Sequence, residues 1–144
     1  MKIAIASDHG GFEYKEILKA YLSELGHEYI DFGTYSKDSM DYPDVVIPAS
    51  EAVAKQECER GIVICSTGVG VSITANKVKG IRCALVSDLL TAKLTREHND
   101  TNMLAMGQFI LGEALMKEIV RVWLETPFQG GRHSRRIAKI EGGC

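Results

Sequence analysis

The sequence lacks the features that mark membrane, secreted and nucleic-acid-binding proteins. Its formal net charge is only −2 at pH 7, so no strong attraction to nucleic acid or to a charged membrane surface is expected. No apolar run is long enough to span a bilayer, and the first residues do not form a signal-peptide pattern. We therefore expect a cytoplasmic protein without nucleic-acid or membrane partners.

Motifs for metals, redox chemistry and nucleotides are also missing. None of the four cysteines forms a CxxC pair, and the four histidines do not fall at metal-ligand spacing. There is no GxxxxGK[ST] loop, and Gly68-Val69-Gly70 resembles only the start of a dinucleotide fingerprint, because Ile73 stands at the third glycine position. The sequence predicts reduced thiols and no metal site, with nucleotide binding left as an alternative.

The most informative stretch is a strand that ends on a cysteine and runs into a glycine-rich turn. Residues 62–64 are β-branched and apolar, Cys65 follows, and the turn at 66–70 leads into a helical pattern. Backbone N–H groups and the dipole at a helix N-terminus favour anions, which predicts a lowered pKa for a thiol held there. The stretch therefore predicts a base or nucleophile beside an oxyanion cradle. The alternative is a small buried cysteine that ends a core strand.

Strand and helix patterns alternate five times along the 144 residues. That alternation predicts a single domain with a doubly wound, Rossmann-like α/β fold, in which a five-stranded parallel sheet carries helices on both faces. The predicted strands are 2–6, 27–32, 61–65, 81–86 and 103–106. The predicted helices are 12–25, 45–55, about 71–79, 89–97 and 112–124, with a last helix that begins near 130.

Polar residues collect at the predicted carboxyl ends of three strands, where open α/β sheets bind ligands. They are Asp8 with His9, the turn at 65–70, and Ser87 with Asp88. His98 and Asn99 precede the fifth strand, and they reach this crevice only if their loop folds over its rim. Plainer alternatives are a helix cap for Asp8, a solvated loop residue for His9, and a helix C-terminal cation for His98. The joint placement of these residues favours a site.

A small basic cluster of Arg132, Arg135 and Arg136 follows Pro127 and two glycines. Arg132 and Arg136 stand four residues apart on one helix face, which suits forked contacts with a phosphate. The alternative is a solvated helix face. Because the segment at about 127–144 is too polar to add much core, we expect it to pack on a partner subunit.

Seven short motifs stand in order along the whole chain: 7–11, 31–34, 41–43, 65–70, 75–77, 96–102, and 130–133 with Arg136. Together they resemble the type B ribose-5-phosphate isomerase family, which includes galactose-6-phosphate isomerase subunits. The resemblance implies a doubly wound five-stranded fold, a homodimer or a dimer of dimers with shared active sites, and no metal or cofactor. It also implies aldose–ketose isomerisation of a sugar phosphate through an enediolate.

The resemblance further implies roles for individual residues. Cys65 is the implied base that moves a proton between C1 and C2 of the sugar. Thr67 and His98 are the implied pair that opens the sugar ring, and Asp8 with Asn99 is implied to contact sugar hydroxyls.

Two larger groups of binding residues are implied in the same way. The backbone of the oxyanion cradle is implied to run through Ser66, Thr67, Gly68, Val69 and Gly70. The implied phosphate ligands, some of them from a partner subunit, are His9, Arg132, His133 and Arg136. Tyr42 is implied to line the pocket.

Two positions depart from the family pattern. Ser66 stands where many members have glycine, and Phe109 stands where a phosphate-binding arginine is expected. The second departure bears on the substrate: ribose 5-phosphate is favoured, and a tetrose, allose or galactose phosphate is the alternative. A non-catalytic sugar-phosphate-binding module and an obligate subunit of a hetero-oligomer also stay open, although a binding module would have no need of a base such as Cys65.

Overall fold

The structure is a computed structural model, and it describes residues 1–142. Its strands are β1 (Lys2–Ser7), β2 (Glu28–Asp31), β3 (Arg60–Cys65), β4 (Cys83–Leu85) and β5 (Met103–Gly107). Its α-helices are α1 (Phe12–Glu24), α2 (Pro43–Ala54), α3 (Val69–Asn76), α4 (Leu89–Asn99), α5 (Glu113–Glu125) and α6 (Arg132–Ile140). A short 3₁₀ turn, His9–Gly11, joins β1 to α1. No helix among residues 1–142 is long and apolar enough to cross a membrane.

All strand pairs in the sheet are parallel, and the strand order is β2-β1-β3-β5-β4. The chain moves from β1 to β2 on one side and then returns to place β3 on the other side of β1. The chain leaving β1 therefore passes to one face of the sheet and the chain leaving β3 to the other. The crevice between these two connections is the place where such sheets bind ligands. The predicted doubly wound α/β fold is confirmed.

Alternation along the strands divides the core into two layers. Ile3 and Ile5 face one side of the sheet, where they pack with buried side chains of α1 and α5. Ala4 and Ala6 face the other side, where buried residues of α2 and α3 cover them. Because both faces are covered, the central strands are apolar on both sides, as expected for a parallel sheet.

Several element boundaries differ from the predictions. α2 begins at Pro43, so Pro48 lies inside the helix rather than near its start. β4 has three residues instead of six. Before its start, the side chain of Asn102 takes the N–H of Arg82 in place of a strand neighbour. α4 continues to Asn99 and ends where Asp100 adopts a left-handed conformation (φ 45°), so His98 and Asn99 belong to its last turn rather than to a loop.

Candidate active site

Cys65 ends β3, and the turn after it folds back onto its sulfur. The thiol is 6% exposed, and the N–H of Gly68 donates to Sγ across 3.1 Å. Gly68 has a left-handed backbone (φ 82°), and a Cβ there would lie 2.8 Å from the backbone carbon of Met106. A side chain at this position is therefore excluded both by conformation and by space. Glycine is what allows a backbone donor to reach the thiol.

Residues that follow β5 also hold this turn in place. The N–H groups of Gln108 and Phe109 donate to the carbonyls of Cys65 and Ser66, each across 2.9 Å. Thr67 is exposed, and its Oγ1 accepts a 3.3 Å bond from the N–H of Val69 at the start of α3. The turn is thus fixed on two sides while the Thr67 hydroxyl stays accessible.

The N–H groups in the first turn of α3 are only partly used. The N–H of Ser72 donates to the carbonyl of Gly68, as in a regular helix. Those of Gly70 and Val71 have no acceptor within residues 1–142. Unpaired donors at a helix N-terminus are an anion-binding arrangement.

The loop after β1 lies against this turn. Asp8 caps the 3₁₀ turn, since Oδ1 accepts from the N–H groups of Gly10 and Gly11 at 2.9 and 3.2 Å. The helix-cap alternative for Asp8 is therefore correct, and Oδ2 makes no hydrogen bond within residues 1–142. A Cβ on Gly10 would clash with Oγ of Ser66, which brings the two loops into direct contact.

A third segment, between β2 and α2, completes the wall of an open cavity of about 500 Å³. Asp8, His9 and residues 40–44 line this cavity. The N–H of Met40 donates to Nδ1 of His9 across 3.3 Å, so a neutral His9 carries its proton on Nε2. The ring of Tyr42 lies over Gly70, where a Cβ would be 2.6 Å from Cζ. We call Asp8, His9, Tyr42 and residues 65–70 the carboxyl-edge cluster.

The remaining expected residues form a second group, the amino-edge cluster, which consists of His98, Asn99, Arg132, His133 and Arg136. The rings of His98 and His133 are stacked, with centroids 4.5 Å apart and an interplanar angle of 18°. Arg132 and Arg136 are exposed on α6 and form no ion pair with any residue of 1–142. Burial, and then the charges of His98, Arg132 and Arg136, lower the pKa of His133 below its usual value.

A buried arginine holds the amino-edge cluster together. Nε of Arg96 donates to the carbonyl of Thr126 across 3.2 Å, and one terminal nitrogen donates to the carbonyl of Thr101 and to Asp100. The N–H of Gln129 adds a 3.1 Å bond to the carbonyl of Glu97. These contacts tie the end of α4 to the segment that leads into α6.

The two clusters lie at opposite edges of the sheet. Cys65 and Gly107 are paired at the carboxyl edge, whereas the carbonyl of Asn99 accepts from Arg82, just before β4 begins. β5 is five residues long, so at about 3.3 Å per residue the two edges are roughly 17 Å apart. His98 and Asn99 therefore do not fold over the rim to reach Cys65 in the same chain. Ser87 and Asp88 lie at the carboxyl edge, where Asp88 caps α4.

The C-terminal segment, expected to pack on a partner, contacts its own chain. α6 lies along α4 through the His98–His133 stack, and Arg82 pairs with Glu141 at 2.7 Å. The part of the predicted segment beyond residue 142 lies outside the described residues. Among residues 1–142, no group of three or more histidines, cysteines and carboxylates could hold a metal ion.

Sequence reasoning missed two buried cations, Lys15 and Arg96. Lys15 is fully buried and pairs with Asp31 at 2.7 Å. A signal for it was present, because Leu18 and Leu22 follow Lys15 by three and seven residues and are themselves buried. A lysine on the apolar stripe of a helix indicates a buried ion pair. No comparable signal marked Arg96.

The comparisons with known proteins identify the family of the chain. The model of the Ribose/Galactose Isomerase family matches residues 3–140. The chain is 56% identical to a putative sugar phosphate isomerase of Bacillus subtilis over 141 residues, which cover 97% of this chain and 95% of the relative. It is 48% identical to ribose-5-phosphate isomerase B of Escherichia coli over 139 residues, which cover 96% and 93% of the two chains.

Solved structures give the same result. Ribose-5-phosphate isomerase B of Clostridium thermocellum superposes with a TM-score of 0.97 at 51% identity, covering 99% of this chain and 96% of that one. The Mycoplasma genitalium enzyme, solved with bound ribulose 5-phosphate, has a TM-score of 0.94 at 40% identity and covers 98% and 94%. The family expected from the seven motifs is confirmed: the chain belongs to the ribose/galactose isomerase family.

Proposed function

We propose that the protein interconverts ribose 5-phosphate and ribulose 5-phosphate, with Cys65 as the base. The observation that carries this proposal is the thiol at the end of β3, which accepts the Gly68 N–H beside unpaired backbone donors. Relatives named ribose-5-phosphate isomerase B, and the Mycoplasma genitalium enzyme solved with ribulose 5-phosphate, support the choice of substrate.

The chemistry follows from the carboxyl-edge cluster. The sulfur of Cys65, as thiolate, removes the proton on C2 of the open-chain aldose, and the electrons of that C–H bond form the C1–C2 double bond of an enediolate. The electrons of the C1 carbonyl move onto its oxygen, O1. The thiol then returns a proton to C1 while the proton of the C2 hydroxyl passes to O1, and the resulting C2 carbonyl gives the ketose. A base must stand within hydrogen-bond reach of the carbon acid, and the developing oxyanion needs donors that are already oriented. The N–H groups of Gly70 and Val71 are such donors.

The sugar also has to be held and opened. The phosphate does not react, so it serves as an anchor that orients the rest of the substrate. We assign Asp8 and Tyr42 to the sugar end of the cavity and His9, through its Nε2–H, to the phosphate. Ring opening falls to Thr67 and His98, and Asn99 contacts a sugar hydroxyl.

These assignments require two copies of the chain, because one chain keeps its two clusters apart. We propose a homodimer in which the amino-edge cluster of one copy completes the carboxyl-edge cluster of the other. Arg132 and Arg136 then reach the phosphate from the second copy, and their lack of ion-pair partners within residues 1–142 agrees with this role.

An exposed apolar surface beside Cys65 supports the same arrangement. We call it the apolar rim, and it comprises Val69, Ile73, Leu85, Leu89, Leu90, Phe109 and Ile110. All seven lie at or shortly after the carboxyl ends of β3, β4 and β5. β3, β5 and β4 are neighbouring strands, so these apolar side chains gather on one side of the carboxyl edge. Exposed apolar side chains that gather in this way mark an interaction site. A second copy that covers it would also bring its arginines to the phosphate.

The test of the proposed function is the specificity of the purified chain. We expect kcat/KM for ribose 5-phosphate to exceed that for erythrose 4-phosphate, allose 6-phosphate and galactose 6-phosphate. If the chain turned over one of the other sugar phosphates and not ribose 5-phosphate, that compound would be the substrate instead. Binding of ribose 5-phosphate without turnover would indicate the non-catalytic module instead.

A further inference from the structure

His98 has an unusual environment for a residue assigned to proton transfer. Neither ring nitrogen takes part in a hydrogen bond within residues 1–142, and neither is enclosed by protein. Catalytic histidines are commonly oriented by a hydrogen bond to the second nitrogen. Here the ring of His98 instead stacks on the ring of His133, and the two ring centroids lie 4.5 Å apart.

His133 is buried, unlike its neighbours on α6. The residue is 5% exposed, whereas Arg132 and Arg136 are exposed. Its Nε2 is completely enclosed and has no hydrogen-bond partner. A phosphate oxygen could not reach that nitrogen without displacing the side chains around it.

We propose that His133 is a positioning residue, which holds the ring of His98 by stacking, rather than a ligand of the substrate phosphate. This inference rests on the proposed function, because it assigns His133 to the ring-opening step. An offset stack fixes the plane of the His98 ring and leaves both of its nitrogens available to the sugar. The phosphate is then held by the exposed arginines and by His9 of the other copy.

Charge supports the same role. Because burial and the neighbouring cations lower the pKa of His133, its neutral form is favoured over the charged one at pH 7. A neutral ring brings no charge to a phosphate dianion. It also avoids placing a second positive charge against His98 when that residue takes up a proton.

Two variants separate stacking from ligation. His133→Phe keeps a flat ring and removes both nitrogens, whereas His133→Asn keeps a polar group near the place of Nδ1 and removes the ring. Ser134→Ala is the matched control, because Ser134 is the exposed neighbour of His133 on the same helix. The readouts are kcat and KM for ribose 5-phosphate, and inhibition by inorganic phosphate.

We expect His133→Phe and Ser134→Ala to keep kcat and phosphate inhibition within about threefold of the parent. We expect His133→Asn to lose about 10- to 100-fold in kcat, because a misplaced catalytic group costs that much, while phosphate inhibition stays the same. An unchanged kcat in His133→Asn would overturn the proposal. So would weakened phosphate inhibition in His133→Phe or in His133→Asn.

Thermal melting shows which variants are folded at the assay temperature. Should His133→Phe not fold, His133→Asn decides alone: reduced kcat with normal phosphate inhibition supports stacking, and weakened phosphate inhibition contradicts it. The parent is assayed first. No turnover by the parent contradicts the proposed function, whereas parent turnover with an unchanged His133→Asn contradicts only the stacking role.

Discussion

Cys65 differs from the other two cysteines of residues 1–142 in what surrounds its sulfur. Its Sγ accepts a backbone N–H. Burial raises the pKa of the Cys83 thiol to about 12 and also raises the pKa of Cys58. Near neutral pH the latter two therefore stay protonated, and only a thiolate acts as a base or reacts with an alkylating agent.

The first prediction concerns Cys65→Ala. We expect kcat to fall by about 10²–10⁴-fold with little change in KM, because the variant loses a base that acts in the transition state. Cys83→Ala is the control and should stay active. Iodoacetamide should inactivate the parent, and ribose 5-phosphate should protect it. Near-normal turnover by Cys65→Ala would rule out the thiol base.

Phe109 stands at a position where the family pattern has a phosphate-binding arginine. The side chain is 74% exposed at the end of β5, and its N–H donates to the carbonyl of Ser66. Phenylalanine cannot donate a hydrogen bond from its side chain to a phosphate. Arg135, exposed on α6 and without an ion pair in the described chain, is the cation that we expect to compensate.

The second prediction is that Phe109→Arg lowers the KM for phosphorylated substrates. A hydrogen bond to a charged group contributes about 1.5–3 kcal/mol, which corresponds to about 10- to 150-fold in affinity. Phe109→Leu keeps an apolar side chain and should behave like the parent. The measurement is kcat/KM for the four sugar phosphates named above. If Phe109→Arg leaves every value and their ranking unchanged, Phe109 is a packing residue without influence on specificity.

At the scale of elements, the Lys15–Asp31 pair connects α1 to the end of β2. Nζ of Lys15 lies 2.7 Å from Oδ2 of Asp31 and 5.5 Å from the centre of the Tyr35 ring. Oδ1 of Asp31 accepts the N–H of Gly33, and Lys19 reaches Oδ2 from the solvent side at 3.1 Å. The pair thus anchors the start of the segment that ends in Met40 and Tyr42 at the cavity.

The third prediction is a difference between two lysines that contact the same carboxylate. Lys15→Met should lower the free energy of unfolding by about 1–3 kcal/mol, because Asp31 loses its closest partner but keeps Lys19 and the N–H of Gly33. Lys19→Met removes a partly exposed partner and should cost less than about 1 kcal/mol. Urea unfolding at pH 7 measures both. Equal losses would contradict the assigned importance of Lys15.

The same pair predicts a dependence of stability on pH. Burial alone would raise the pKa of Asp31, but hydrogen bonds from Lys15, Gly33 and Lys19 outweigh it and lower the pKa below 3.8. A carboxyl group with a lowered pKa in the folded state stabilises the protein above its unfolded pKa, and this contribution is lost as pH falls through the folded value. Asp31→Asn should therefore be less stable than the parent at pH 7, and the difference should shrink below about pH 3.8. A difference that stays constant down to pH 2 would contradict this linkage.

Element types could be predicted from the sequence, while several boundaries could not. Hydrophobic periodicity identifies every strand and α-helix, because burial of one face depends on local spacing. The ends depend on contacts between distant residues, and the three-residue β4 is an example, since Asn102 bonds to Arg82 twenty positions away. The end of α4 has a similar long-range contact, because Arg96 donates to the carbonyl of Thr126, thirty positions away.

At the scale of the whole molecule, the sequence predicted the family pattern and its candidate site residues, but not how these residues are distributed in the fold. Motif spacing placed Asp8, Cys65 and His98 in one family pattern, and that family is confirmed. It left open whether His98 reaches Cys65 in the same chain. Only the course of α4 across the sheet shows that it does not, because a helix that follows β4 must return to the amino edge.

Each chain carries the carboxyl-edge cluster and the amino-edge cluster at opposite edges of its sheet. A site that is shared between two chains has a simple consequence for mixed dimers. A chain that lacks its carboxyl-edge base and a chain that lacks its amino-edge arginines can form one intact site between them. In a symmetric homodimer with random exchange, half of the dimers are hybrids and each has one intact site of two, so about a quarter of all sites recover.

The most direct test therefore mixes Cys65→Ala with the double variant Arg132→Ala/Arg136→Ala, each inactive alone, and measures ribose 5-phosphate isomerisation. Subunit exchange is verified with tagged chains, and a mixture of the parent with Cys65→Ala is the control. If the site is shared between two chains, the inactive pair regains about a quarter of the activity of the parent. No recovery, despite proven exchange, would show that each chain holds a complete site and would contradict the account.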